Sequence, residues 1–226
     1  MRIDIKMNPY RHSMSYLLRR LIWDLRPVSW LMRNRINMFK NKNLGKKAII
    51  LCNGPSLNDV NFGDLQDVKL FGLNKINLKF NEFSIDPDFI VSTNRQILQQ
   101  NKEYFSSTDT QLFLSHLAIS ENIKLRNNVI LLHMSDIPSF STDIAFSIFE
   151  GFSVTYVALQ IAFYMGFKQV GLVGCDHWYP YAGIPNQLIS LDTKDEGHFH
   201  DNYFSKGQSF NFPDLKASEL YFDRAK

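Results

Sequence analysis

Six short apolar runs punctuate the chain between residues 48 and 175, and their spacing constrains the fold more than any other feature. They read AIILC (48–52), VKLFGL (68–73), DFIVST (88–93), QLFLS (111–115), NVILLH (128–133) and QVGLVGC (169–175). Most are continuously apolar rather than alternating, which is the pattern of parallel strands buried on both faces. Helical stretches separate them. The sharpest is SVTYVALQIAFYMGF (153–167), apolar nearly all round, which runs into Gly166 as its stop and leads straight into the sixth run. Strands alternating with helices predict an α/β, Rossmann-like, mostly parallel sheet with helices on both faces. Ligands of such sheets bind at the carboxyl ends of the strands.

A different kind of segment precedes that body. Between residues 14 and 39, Leu17, Leu18, Leu21, Ile22, Leu25 and Val28 recur at helical spacing, while Arg19, Arg20 and Arg26 fall largely off the stripe. Pro27 should kink or divide the helix. Residues 1–47 hold 12 Lys/Arg against the two acids Asp4 and Asp24, a net of +10, and the remainder holds 13 against 20, a net of −7. The whole chain is therefore only +3. It divides into a basic amphipathic N-terminal helical leader (1–45) and an acidic body (46–226). The leader, with Trp23 and Trp30 beside its arginines, suits an anionic membrane surface through residues 14–40. Packing on the body, or on a sister subunit in a homo-oligomer, explains the same stripe equally well. An acidic body excludes a nucleic-acid partner for the domain itself.

No apolar stretch reaches the length of about 18 residues that a spanning helix needs, and MRIDIKMNPYRHS has no apolar core of a secretory signal. The two cysteines, Cys52 and Cys175, each end a strand-like run and read as buried thiols of a reducing compartment. A cytoplasmic location follows, peripheral on the inner face of the membrane if the leader adsorbs.

The first strand ends in Cys52-Asn53-Gly54-Pro55-Ser56-Leu57. Gly54 permits a tight turn and close approach of a phosphate, Ser56 is placed to cap a following helix, and the Asn53 amide both donates and accepts. The turn is neither GxGxxG nor a Walker loop. Asn74 follows the second strand in FGLNK and Asn94 the third in VSTNR. Asparagine is a common turn former. Three of them at equivalent strand ends also suit reading the hydroxyls and base edge of a nucleotide without adding charge.

AIILCNGPSL, FGLNK, PDFIVSTN, EGFSVTYVALQIAFYMGFKQVGLVGCDHWY and HFHDNYF together resemble the MptE-like (6-hydroxymethylpterin diphosphokinase-like) family over about residues 46–222. That family is akin to bacterial sialyltransferases and to the motility accessory factor glycosyltransferases. The resemblance implies a Rossmann-type transferase that binds a nucleoside-phosphate donor. Carried over, the nucleotide-contacting asparagines are Asn53, Asn74 and Asn94; Gly54, Pro55, Ser56, Ser153 and Asp176 complete the expected nucleotide-binding set. The general base falls to His198 or His200, and the tyrosines holding the departing phosphate to Tyr179 or Tyr181. Trp178 stands where the sialyltransferases carry the first such tyrosine, and no arginine occupies Phe149–Phe152 before the long helix.

The residues themselves admit two chemistries. A histidine near its ordinary pKa can take a proton from an acceptor hydroxyl; with it the resemblance implies a glycosyltransferase using a CMP-activated, sialic-acid-like sugar for cell-surface glycan synthesis on a glycan or lipid-linked acceptor, with no cofactor required. Asp176 with Asp201 could instead hold Mg²⁺ for an ATP-dependent diphosphotransferase acting on a hydroxymethylpterin. A non-catalytic, membrane-adsorbed nucleotide-binding module is the third reading. The polar, turn-rich stretch 179–197 has the length of a lid.

Overall fold

The computed structural model describes residues 8–64, 67–180, 183–190 and 194–225. Its strands are β1 (Lys47–Leu51), β2 (Lys69–Leu73), β3 (Phe89–Ser92), β4 (Gln111–Ser115), β5 (Val129–Leu132), β6 (Met134–Ser135), β7 (Ile148–Phe149), β8 (Gln169–Val173), β9 (Leu188–Ser190) and β10 (Ser209–Asn211). The helices are α1 (Pro9–Asp24), α2 (Pro27–Asn37), α3 (Phe80–Phe83), α4 (Arg95–Gln100), α5 (Lys102–Ser107), α6 (Val154–Tyr164) and α7 (Leu215–Arg224). Six strands form one parallel sheet in the order β5-β4-β3-β2-β1-β8. All six apolar runs of the sequence supply its strands.

Alternation along β1 divides the core. Ile50, paired with Phe71 of β2 and Leu172 of β8, faces α6 and joins Val157, Ala158 and Ile161. Leu51 faces the opposite layer, with Ile97 and Leu98 of α4 and Phe105 of α5. Burying both faces explains the unbroken apolar runs of β3 and β5, every residue of which is buried. β8 departs from that expectation. Only β1 flanks it, and Gln169, Gly171 and Leu172 are exposed. Cys175, just beyond it, is exposed as well, so Cys52 alone is the buried thiol that the sequence predicts for both.

Ser153 caps α6 by accepting from the Thr155 N–H, and Gly166 ends it at a φ of +82°, a conformation that residues with a Cβ rarely adopt. The last turn is tied to the leader, since Asn41, Asn43 and Gly45 donate backbone N–H groups to the carbonyls of Tyr164, Met165 and Gly166. Pro27 divides the leader as expected. α2 buries Ser29, Met32 and Ile36, and the Arg35 guanidinium reaches the carbonyls of Arg126 and Val129, both at 2.9 Å. The second half of the leader is thus built into the body.

α1 packs by its polar side. Arg20 and Trp23 are buried, and Trp23 meets His116 and His133 with ring centroids 5.5 and 5.7 Å away. Those two imidazoles stack on each other, and each has a buried Nδ1 with no partner among the described residues. Burial, followed by the Arg20 charge, pushes His133 down to about 4; burial lowers His116 too. A histidine depressed on folding contributes stability above its unfolded pKa of about 6.5, and loses it as pH falls towards the folded value. The thermal midpoint should therefore drop between pH 6.5 and 4, with His133→Asn giving a flatter curve in that window. Parallel curves for the two proteins would contradict this assignment.

Candidate active site

The site is built where the sheet order reverses. Past the ends of β1 and β8 the ladder continues, with Cys52 N–H donating to the Val173 carbonyl and Gly54 N–H to that of Gly174, both at 2.9 Å. A short 3-10 helix, Pro55–Asp59, follows. Asp176, after β8, accepts the Ser56 N–H at 2.9 Å and so anchors that helix. Gly54 is required here, because a Cβ at this position would collide with the Asp176 carboxylate. A cavity of about 1040 Å³ opens over these strand ends. Crevices of this kind hold the ligand in open α/β sheets.

Asn53, Asn74 and Asn94 all line the cavity, together with Gly54, Ser153 and Asp176. Their amides are not equivalent. Asn94 spends its side-chain oxygen on capping α4, accepting from Gln96 and Ile97. Asn74 adopts a φ of +51°, which asparagine tolerates better than most residues, and its Oδ1 accepts the Ser92 hydroxyl at 3.1 Å. Asn53 alone has a buried Oδ1 with no partner among the described residues. A buried amide oxygen left unmatched is costly, and a ligand donor would relieve that cost. Pro55 and Ser56 stand behind the lining, and Ser56 contributes its backbone N–H rather than a side-chain cap.

The two candidate histidines separate. His198 lines the cavity, whereas His200 lies outside the lining and its Nδ1 accepts the Asn202 N–H. His198 is held on every side. Its Nδ1 lies 2.8 Å from Asp195 Oδ2, its Nε2 lies 2.8 Å from the Tyr179 hydroxyl, and its ring stacks on Tyr203 at 4.1 Å. Asp195 is only 2% exposed and also accepts N–H groups from Gly197 and Phe204. An ionised carboxylate only accepts, so Nδ1 carries the proton and Nε2 presents its lone pair towards Tyr179 and the cavity. Tyr181 lies outside the described residues.

Neither Asp195 nor the groups beneath it stand out in the sequence. Lys75 is buried, donates to the Tyr203 carbonyl at 2.5 Å, and faces the rings of Tyr203 and Phe204. Burial lowers it to about 8, with the Asp195 charge opposing. The available signal was position: Lys75 directly follows Asn74, and Asp195 precedes His198 by three residues. On another wall the cavity is aromatic, lined by Phe149, Phe152, Tyr221 and Phe222, and α1 contributes Ser13, Ser15 and Arg19. Phe152 holds a φ of +63° immediately before the α6 cap. The lid-length stretch is partly structured, for β9 pairs antiparallel with β10.

The Mg²⁺ reading fits these residues poorly. Asp201 is exposed, paired with Lys194 at 2.9 Å, and outside the lining that Asp176 occupies. Among the described residues no three His, Cys, Asp or Glu side chains gather as a metal site.

The model of the family described as 6-hydroxymethylpterin diphosphokinase MptE-like matches residues 27–182, which include α2, the Asn53 turn, α6 and β8. The chain belongs to the MptE-like family. It is thereby a domain of transferase type. Among solved structures, the Maf glycosyltransferase of Magnetospirillum magneticum AMB-1 has the same fold, with a TM-score of 0.50 and 16% identity over 86% of this chain. The chain spans about a third of that protein, 34% of its length. A search of curated proteins finds no match. For this MptE-like domain, Gly54→Ala should cost about 1–3 kcal/mol of stability through overpacking against Asp176 and lower the thermal midpoint by several degrees. An unchanged midpoint would show that the Asp176 contact is not tight.

Proposed function

We propose that this domain is a glycosyltransferase taking a CMP-activated, sialic-acid-like sugar, with His198 as its general base. The observation that carries the reading is the Asp195–His198–Tyr179 chain facing the crevice at the β1–β8 strand ends. Asn53 Oδ1, buried and unmatched, is suited to accept from a nucleotide's amino or hydroxyl group. The cavity volume is at the upper end of small-molecule sites and accommodates a nucleotide and a sugar together.

In this mechanism Asp195 holds the imidazole with its proton on Nδ1. The acceptor hydroxyl displaces the Tyr179 hydroxyl from Nε2, which takes the acceptor's proton as the acceptor oxygen bonds to the sugar carbon. The bond from that carbon to the phosphate oxygen breaks, and CMP leaves with the electron pair. Tyr179, released from His198, is placed to donate to the departing phosphate, and the Asp195 charge steadies the imidazolium. The same acceptor-side base would serve the diphosphotransferase reading, so the donor decides between them.

A thermal-shift titration with CMP, CDP and ATP, each with and without Mg²⁺, reads that donor. Stabilisation by CMP without metal is expected, while a response to ATP that needs Mg²⁺ would replace this reading by diphosphotransfer. CMP-sialic acid turnover, followed as CMP release, should fall about 10²–10⁴-fold in His198→Ala, the range of general-base contributions, and change little in His200→Ala. Equal activity of wild type and His198→Ala would remove His198 from the mechanism.

A further inference from the structure

We infer that the outward face of α1 docks on an anionic membrane surface, in the interface plane, with the adjoining cavity wall held beside the lipid. The starting observation is that α1 is mounted with its apolar stripe outward. Met14, Leu17, Leu18, Leu21, Ile22 and Leu25 are each about half exposed or more, from 47% to 70%. At 100° per residue they occupy a sector of roughly 140° of the helix. The side turned to the body instead carries Tyr16, Arg20 and Trp23. Nothing in the described residues covers the stripe, and a contiguous apolar face of this kind marks an interaction surface.

Charge selects the occupant. Among the described residues up to Lys47, ten are Lys or Arg and one, Asp24, is acidic. Both oxygens of that carboxylate are already engaged, by Arg20 and Arg33. The apolar stripe is therefore set in a segment whose uncompensated charge is positive, next to exposed Arg11 and Arg26. A second copy of the same face would oppose positive to positive and gain only the apolar contact. An anionic bilayer matches both properties, taking the leucines at the acyl boundary and the cations at its headgroups. No helix among the described residues is long and apolar enough to cross a membrane, so the contact is one of lying on the surface.

Docking itself does not depend on the reaction assigned to the cavity. Its consequence for the acceptor does rest on the transferase reading. Ser13, Ser15 and Arg19 of the same helix line the cavity, and Arg19 is fixed there by its ion pair with Asp136. A helix lying on lipid therefore brings one wall of the cavity to the bilayer surface, which favours an acceptor whose sugar or alcohol is carried on a lipid.

The test is flotation of the full chain with vesicles of phosphatidylcholine alone, or of phosphatidylcholine and phosphatidylglycerol in equal parts. Wild type should float with the anionic vesicles and stay behind with the neutral ones, and added salt should release it. Leu17→Glu/Leu21→Glu changes two exposed positions and should cut the bound fraction about tenfold or more, with an unaltered thermal midpoint. Absence of flotation with anionic vesicles, or equal flotation of the variant, would overturn the proposal. So would light scattering that shows a dimer in wild type and a monomer in the variant, because a second copy would then own the face. CMP-induced stabilisation is measured without lipid, so failure of docking and failure of the transferase reading remain distinguishable.

Discussion

β1 lies between two parallel neighbours, β2 on one side and β8 on the other, and the rest of the molecule is arranged around that position. The crevice opens over the ends of these two strands, beside the Asn53 turn that follows β1 and the Asp176 segment that follows β8. The ladder holds beyond the strands through Cys52 and Gly54, which brings Asp176 onto the Ser56 N–H and leaves Asn53 at the rim. Only glycine at position 54 lets the carboxylate come so close. The crevice is a consequence of topology; its chemistry comes from what the later segments deliver into it.

That delivery runs through one buried carboxylate. Asp195 gathers two backbone N–H groups and the His198 Nδ1 proton, with the Lys75 charge nearby, and so folds the 195–204 segment over the strand ends. Phe199 N–H closes the arrangement on the carbonyl of Asn53 at 3.0 Å. Residues 48–226 carry a net charge of −7, so bulk attraction cannot recruit an anionic ligand. Asn53 and Asn74 face the cavity from the strand ends, and positive charge is concentrated on the leader, whose Arg19 also lines the cavity.

The sheet was legible because its strands are buried on both faces and leave unbroken apolar runs; β8, an edge strand, has the same composition yet an exposed face. The Pro27 break, the Ser153 cap and the Gly166 stop were legible as local backbone chemistry. The site was legible only in part. Asn53, Asn74 and Asn94, picked out by their position at strand ends, line one cavity, but sequence carries no information on which amide oxygens the fold consumes, and two of the three are engaged within the protein. His198 and His200 look alike in GHFHD; what separates them is the long-range folding of the loop. Asp195 was hidden in a polar stretch, DTKDEG, where an acid ordinarily reads as solvated. Apolar periodicity found the α1 stripe without revealing that it faces outward, since periodicity records amphipathicity and not its direction.

The proposed role of Asp195 is to orient His198 as the base of a nucleotide-dependent transfer. It is tested most directly by the pH dependence of CMP release from CMP-sialic acid in wild type and Asp195→Asn. With the orienting carboxylate replaced by an amide, kcat should fall about a hundredfold or more and the acid limb of the profile should shift, while KM stays within about twofold. An Asp195→Asn protein with the rate and profile of wild type would contradict the account.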